Sequence, residues 1–221
     1  MGNTETADRP LRKDAERNRQ RIMAAAGELF AEVGLSASLD AVAERAGVGV
    51  GTVYRRFPDK EALIDALFEE RVDAVVAIAQ ECATRDDPWD ALTCFLDRAV
   101  GLYETDRALK EIIFSTAYGR HRVDQARERI KPLVAGLVGR AQASGQLRED
   151  FAISDAPMIQ LMLTSVMEYA GTVAPDVWRR YLAILLDGMR AGAARTPLAP
   201  VALTDDQLEV VMSGGQTPRS R

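Results

Sequence analysis

The feature that most constrains this chain is a pair of short apolar stripes of helical period, separated by a glycine, within residues 39–57. Leu39, Val42, Ala43 and Ala46 make the first stripe; Val50, Val53 and Phe57 share one side of the second. Gly47 breaks the helix between them, and Ser38 stands before the first as its N-cap. Pro58 ends the second, because the residue before a proline is biased out of the helical region. A longer stripe precedes both over residues 14–33, on Ile22, Ala25, Ala26, Leu29, Phe30 and Val33, with Gly34 as its C-terminal stop. Three helices that end by residue 57, the last two joined by only a few residues, predict the head of a helix-turn-helix reader. The residue types have steric reasons. Gly47 supplies the turn, Val48 plugs the angle between the helices, and Ala43 is small where they approach closely.

The rest of the chain is also punctuated as helices. Asp59 caps one that runs from Lys60 to about Cys82. Asp86 or Asp87, with Pro88, opens the next, to about Glu104, in the expected order of acid before proline. Asp106 leads a further one to near Tyr118. A segment over 123–144 holds Pro132, which predicts a kink. Ser154 opens a helix that Gly171 closes, and Asp176 opens one that ends near Gly192. From 193 onward the chain is rich in Pro, Gly and Ser and is predicted to be loosely held, with Thr204 and Gln207 as a capping box over residues 205–212. No strand-like alternation persists, so the expected fold class is all-α.

Composition narrows the function classes. The net charge of -5 is unevenly spread: residues 1–60 carry 10 Lys+Arg and 9 Asp+Glu, the remainder 18 and 24. An acidic body with a nearly neutral head can still hold DNA if its basic groups share one face. Apolar stretches fall short of a bilayer span and the N-terminus lacks an apolar signal core, so a soluble, cytoplasmic protein with no membrane partner is expected. Cys82 and Cys94 are twelve apart and His121 is the only histidine. That pattern predicts neither a disulfide framework nor a zinc site; both thiols read as small buried hydrophobes, and no metal or cofactor is expected. An enzyme lacks its catalytic set here. There is no serine–histidine–acid spacing and no glycine-rich phosphate loop, and adjacent acids such as Glu69–Glu70, Asp86–Asp87 and Asp205–Asp206 point apart on a helix.

The stretch LDAVAERAGVGVGTVYRRFPDKEAL, residues 39–63, resembles the TetR family of bacterial transcriptional regulators. The matching residues are Val42, Ala43, Ala46, Gly47, Val48, Gly51, Thr52, Tyr54, Phe57, Lys60 and Leu63. RQRIMAAAGELFAEVG, residues 19–34, also looks like that family's first helix. Gly49 stands where Ser is common, which leaves the recognition helix less well capped, and Arg56 stands where His or Tyr is common. The specific match covers about 45 residues; beyond Lys60 the likeness is one of length, helicity and helix count. The resemblance implies a flexible arm over 1–13, a helix-turn-helix DNA-binding domain over 14–59, a helical effector-binding and dimerisation domain over 60–192, and a C-terminal tail over 193–221.

Roles follow for the head. A recognition helix enters the major groove by its N-terminal part, here exposing Gly51, Thr52 and Arg55. Thr52 can bond a base edge or rest its methyl on thymine, and Arg55 can reach guanine or a phosphate. Val50 can touch a thymine methyl or belong to the core; the sequence leaves both open. Tyr54 and Lys60 match the family's phosphate anchors, which fix register without reading sequence. Ser38, at a helix N-terminus, can present backbone N–H groups to a phosphate. Arg17 and Arg19 reach the DNA backbone from the first helix or are simply solvated charge.

For the body, the resemblance implies a homodimer paired through the last two long helices, with Met162, Val166, Met167, Tyr181, Ile184 and Leu185 as interface residues. It also implies a small apolar or aromatic effector. The expected lining is Phe68, Trp89, Phe95, Leu102, Tyr103, Phe114, Tyr118, His121 and Met158, although each aromatic serves equally as bundle core and His121 as a surface residue. The expected function is a repressor released from a palindromic double-stranded DNA operator. An effector-independent activator or architectural protein is the alternative, and a helical enzyme a remote one.

Overall fold

The computed structural model describes residues 8–105, 120–192 and 196–212 of the 221-residue chain. Among these residues nine α-helices carry the fold: α1 Asp8–Val33, α2 Leu39–Ala46, α3 Val50–Arg56, α4 Lys60–Ala83, α5 Pro88–Thr105, α6 Arg120–Ala143, α7 Asp155–Ala170, α8 Val177–Met189 and α9 Asp205–Met212. A 3-10 turn, Gly34–Ser36, follows α1. The helix expected over 106–118, with Phe114 and Tyr118, lies outside the described residues, and so does the side chain of His121.

Local chemistry explains most of the boundaries. The Ser38 hydroxyl accepts the Ala41 N–H at 3.2 Å, Asp59 accepts that of Ala62 at 2.8 Å, and Asp87 that of Asp90 at 2.7 Å. Each satisfies a donor that the first helical turn would otherwise leave unpaired. Two expected caps differ. The side chain of Ser154 makes no capping bond, and Asp155 instead accepts the Ala152 N–H at 2.8 Å. Asp176 likewise makes no cap and pairs with Arg179. Helix α1 starts at Asp8, so residues 8–13 are helical and not a flexible arm. Periodicity reports only the buried face, which begins at Ile22, and Pro10 is tolerated because first-turn N–H groups have no partner to lose.

The chain forms two compact units, the first reaching to Glu70 and the second beginning at Arg71. The division falls inside α4, later than the expected edge at residue 59, because Leu63, Ile64 and Leu67 are buried. In the first unit α1 packs against α2 and α2 against α3. Ile22, Ala26, Phe30, Val42, Val53, Leu63 and Ile64 are its most buried apolar residues. In the second, α5 packs against α6 and α7, and α7 against α8, around Leu92, Val100, Leu137, Leu147, Leu163 and Trp178.

Two expectations for the second unit are overturned. Cys82 and Cys94 are not separate thiols; they form a disulfide joining α4 to α5. Both are buried as expected, but a twelve-residue spacing does not reveal that the turn between the helices faces one sulfur to the other. Of the tail, residues 196–212 are also better held than composition suggested. Arg148 pairs with both oxygens of Asp150 and donates to the Thr196 carbonyl at 2.8 Å, while Asp150 accepts the Leu198 N–H at 2.9 Å. The Arg148 guanidinium, with the Leu198 N–H, holds the Asp150 carboxyl far below its usual range. Further on, the Thr204–Gln207 capping box forms as expected, and Lys131 pairs with Asp205 at the start of α9. Composition measures the average cost of ordering a segment; it cannot register individual anchors contributed by distant residues.

Candidate nucleic-acid interface

The candidate reading element is α3, which is only seven residues long. Its orientation therefore has to come from what it rests on. Val53 is fully buried and Phe57 nearly so, and these two side chains root the helix in the first unit. The opposite side carries Val50, Gly51, Tyr54 and Arg55, all exposed. Val50 is 44% exposed, which removes it from the core and leaves its methyls on the open face. Tyr54 is 46% exposed and presents its ring beside them. Thr52 flanks this stripe, half-buried, with its backbone N–H bonded to the Gly49 carbonyl at 2.8 Å. Lys60, half-buried, is the first residue of α4.

The turn before α3 is a Schellman motif. The Val48 N–H bonds the Ala43 carbonyl at 3.1 Å, and the Gly47 N–H bonds that of Glu44 at 3.1 Å. Gly47 has φ +62°, the left-handed region that a side chain resists. Charged braces run from α1 to the other two helices. Arg45 of α2 grips Glu32 through two bonds of 2.9 and 2.7 Å, with Glu28 at 3.7 Å. That paired bond lowers the Glu32 carboxyl below its ordinary range and raises Arg45. Arg56 of α3 lies 3.6 Å from Glu16. Such exposed pairs add little energy, but they determine which arginines stay available. Arg55 stands on the open face beside Tyr54.

Other expected contacts are placed differently. Arg17 bonds Asp14 at 2.8 Å and Arg19 lies 3.8 Å from Glu16, each pair one turn apart on α1. Their charge is thus shared with neighbouring acids. Ser38 uses its hydroxyl as a helix cap. What the arrangement can do chemically is offer a short convex stripe of methyl, phenol and guanidinium groups to a groove. Among the described residues no group of three His, Cys, Asp or Glu side chains is placed to hold a metal, and no helix is long and apolar enough to cross a membrane.

Of the expected effector residues whose side chains the structure describes, Phe68 belongs to the first unit and Trp89, Phe95, Leu102, Tyr103 and Met158 to the second. Trp89 and Tyr103 are fourteen residues apart on α5, about 21 Å at the helical rise. Trp89 is buried, covered by Arg190 at 4.3 Å from its ring centre, and its backbone N–H donates to the Gln146 side-chain oxygen. Phe95 is core, and Leu102 packs against that core. Met158 is half-buried. Tyr103 differs from these: burial pushes its phenol above the ordinary range, and its hydrogen bond to Gln160 of α7 only partly offsets this. Gln160 escaped the sequence reading because a lone polar residue on a helix gives no sign of which neighbour it will face.

The expected interface residues also divide. Met162, Tyr181 and Ile184 are exposed at 48%, 45% and 56%, whereas Val166, Met167 and Leu185 pack against their own core. Tyr169 and Val173 are exposed more fully still and were missed. The seven-residue step from Met162 to Tyr169 was the available signal.

Comparison with known proteins gives these faces a context. Residues 22–67 match the family model described as bacterial regulatory proteins, tetR family. Residues 87–214, more than half of the chain, match the one described as the C-terminal domain of SbtR-like transcriptional regulators. An HTH-type transcriptional regulator of Staphylococcus aureus is 40% identical over 67 residues, 30% of this chain. The chain spans only 36% of that relative's length. A TetR regulatory protein from Mycobacterium vanbaalenii is 30% identical, with a TM-score of 0.61, covering 82% of this chain and 100% of the other. A TetR transcriptional regulator from Streptomyces coelicolor is 28% identical, with a TM-score of 0.60, covering 79% and 99%.

Proposed function

This chain belongs to the TetR family of bacterial transcriptional regulators, and from that premise we propose that it is a repressor that binds a palindromic operator as a homodimer and leaves it when a small apolar or aromatic molecule binds its body. DNA binding and transcriptional regulation come with the family; the operator symmetry, the pairing and the effector are our reading. The observation that carries it is the exposed stripe of α3, Val50, Gly51, Tyr54 and Arg55, rooted on buried Val53 and Phe57. One short helix reads only a few base pairs, so two copies on a symmetric site are needed for affinity.

The pairing surface is the outward face of α7 and α8. Met162, Tyr169, Tyr181 and Ile184, with Val173 between the helices, leave large apolar side chains in water, and a second copy of the same face would cover them. The effector site is centred on Tyr103 and Gln160, a half-buried hydrogen-bonded pair next in the chain to Leu102 and Ile159, which belong to the apolar core or pack against it; a few polar groups beside apolar ones is the composition of a small-molecule site. For release to follow, the effector must bind the DNA-free form better than the DNA-bound form.

Selection of duplexes from a random pool tests the operator part directly. The expected product is an inverted repeat with half-sites about one helical turn apart. A single unrepeated half-site, or no enrichment, would overturn it. An apolar ligand that lowers affinity for the selected duplex in the unaltered protein, and does so far less in Tyr103→Ala, would support the effector site.

A further inference from the structure

We infer that Arg21, on the first helix, is a positioning residue for operator recognition: it completes the C-terminal cap of α2 and thereby sets the angle at which α3 is presented. This rests on the DNA-binding reading above. The Schellman motif satisfies the carbonyls of Ala43 and Glu44 and leaves those of Ala46 and Gly47 without a partner from the motif itself. The Arg21 guanidinium donates to both, at 2.7 Å to Ala46 and 3.1 Å to Gly47. Its positive charge also sits at the negative end of the α2 dipole. The residue that follows it, Ile22, is fully buried, so the face of α1 from which Arg21 reaches is fixed by the core.

Two features make this brace matter for α3. Gly49 is the N-cap of α3 and supplies no capping side chain, so the turn has little side-chain restraint of its own. Gly47 also serves Arg21 sterically, because a Cβ at that position would lie 2.9 Å from Arg21 Nη2. A side chain at 47 must then displace the guanidinium as well as strain the backbone. Arginine suits the role because its planar fork can donate to two adjacent carbonyls at once.

The experiment compares the unaltered protein with Arg21→Met, Arg21→Lys, Gly47→Ala and the double variant Arg21→Met/Gly47→Ala. The probes are a duplex selected by the unaltered protein and its scrambled counterpart, at several salt concentrations. If the unaltered protein selects no duplex, the DNA-binding reading fails before Arg21 is tested. Arg21→Met is expected to lower the ratio of selected to scrambled affinity by roughly tenfold, the scale of one misplaced base contact, with the slope against log salt unchanged. Arg21→Lys, which keeps a donor, should recover part of that ratio. Gly47→Ala should cost less in the Arg21→Met background than alone, because the group it collides with is gone.

Equal losses on both duplexes with a shallower salt slope would make Arg21 a phosphate contact and overturn the inference. An unchanged ratio with a lower melting temperature would reduce it to a stabilising brace and overturn it too, as would additive effects of Gly47→Ala and Arg21→Met. Should Arg21→Met fail to fold, Arg21→Lys carries the test alone through its ratio and slope.

Discussion

The head and the body of this chain both tie arginines to helix ends and acids, and they differ in what they leave outward. The head anchors α3 on two side chains, Val53 and Phe57, and ties three of its arginines to helix ends and acids: Arg21 to two carbonyls, Arg45 to Glu32 and Glu28, Arg56 to Glu16. The body leaves Met162, Tyr169, Val173, Tyr181 and Ile184 in water and is stapled by the Cys82–Cys94 disulfide. A reading surface must present the same groups at the same angle each time, so its supports are directional. On the proposed pairing through α7 and α8, that surface needs area, and apolar groups are left outward there.

Trp178 is fully buried, and Trp178→Ala is expected to cost about 3–5 kcal/mol of stability, seen as a fall in the denaturant midpoint. A loss under about 1 kcal/mol would mean that the body is not organised around this residue. The staple comes next. Its two cysteines are twelve residues apart, and closing a loop of that order is worth about 3 kcal/mol. Unfolding measured with and without dithiothreitol should differ by about that much, and Cys82→Ala should match the reduced protein. Identical curves would remove the staple from the account.

The outward face of α8 should matter for DNA without mattering for the fold. Ile184→Asp places a charge on an exposed site, so helical content by circular dichroism should hold. Sedimentation should fall from about twice the 24.2 kDa chain mass to one chain. Operator affinity should drop by roughly 100-fold as bivalency is lost. A dimer that survives this change pairs through some other surface.

The smallest effects sharpen the head. On the proposed placement of Lys60 against a phosphate, Lys60→Ala removes one such contact per subunit, so the slope of log affinity against log salt should fall by about 1.8 for a dimer. Selected and scrambled duplexes should weaken alike. Thr52→Ala should instead cost about 1 kcal/mol at one operator position and leave the slope intact. If Lys60→Ala changed base preference and kept the slope, the placement of the head on DNA would be wrong.

Much of the head was legible beforehand. Ser38, Gly47, Pro58 and Asp59 act through neighbours no more than a few residues away, and the Val53–Phe57 stripe follows from one helix period. Val50 was ambiguous, since a stripe edge can face either way. Arg21 was not legible at all, because its partners lie 25 and 26 residues further on. In the body, Val166, Met167 and Leu185 were grouped with Met162 and Ile184 as one surface, because both helices are apolar on more than one side.

The helical class, most of the helix ends and the helix-turn-helix could be read from sequence, because they are properties of short spans: side-chain period, cap chemistry, glycine and proline geometry. Only the tertiary structure decided which apolar face looks inward, that Cys82 meets Cys94, that Tyr103 finds Gln160, and that Arg148 and Asp150 hold the tail. Those outcomes depend on how helices approach each other in space, and a contact between residues far apart in the chain leaves no periodic or local trace in either segment.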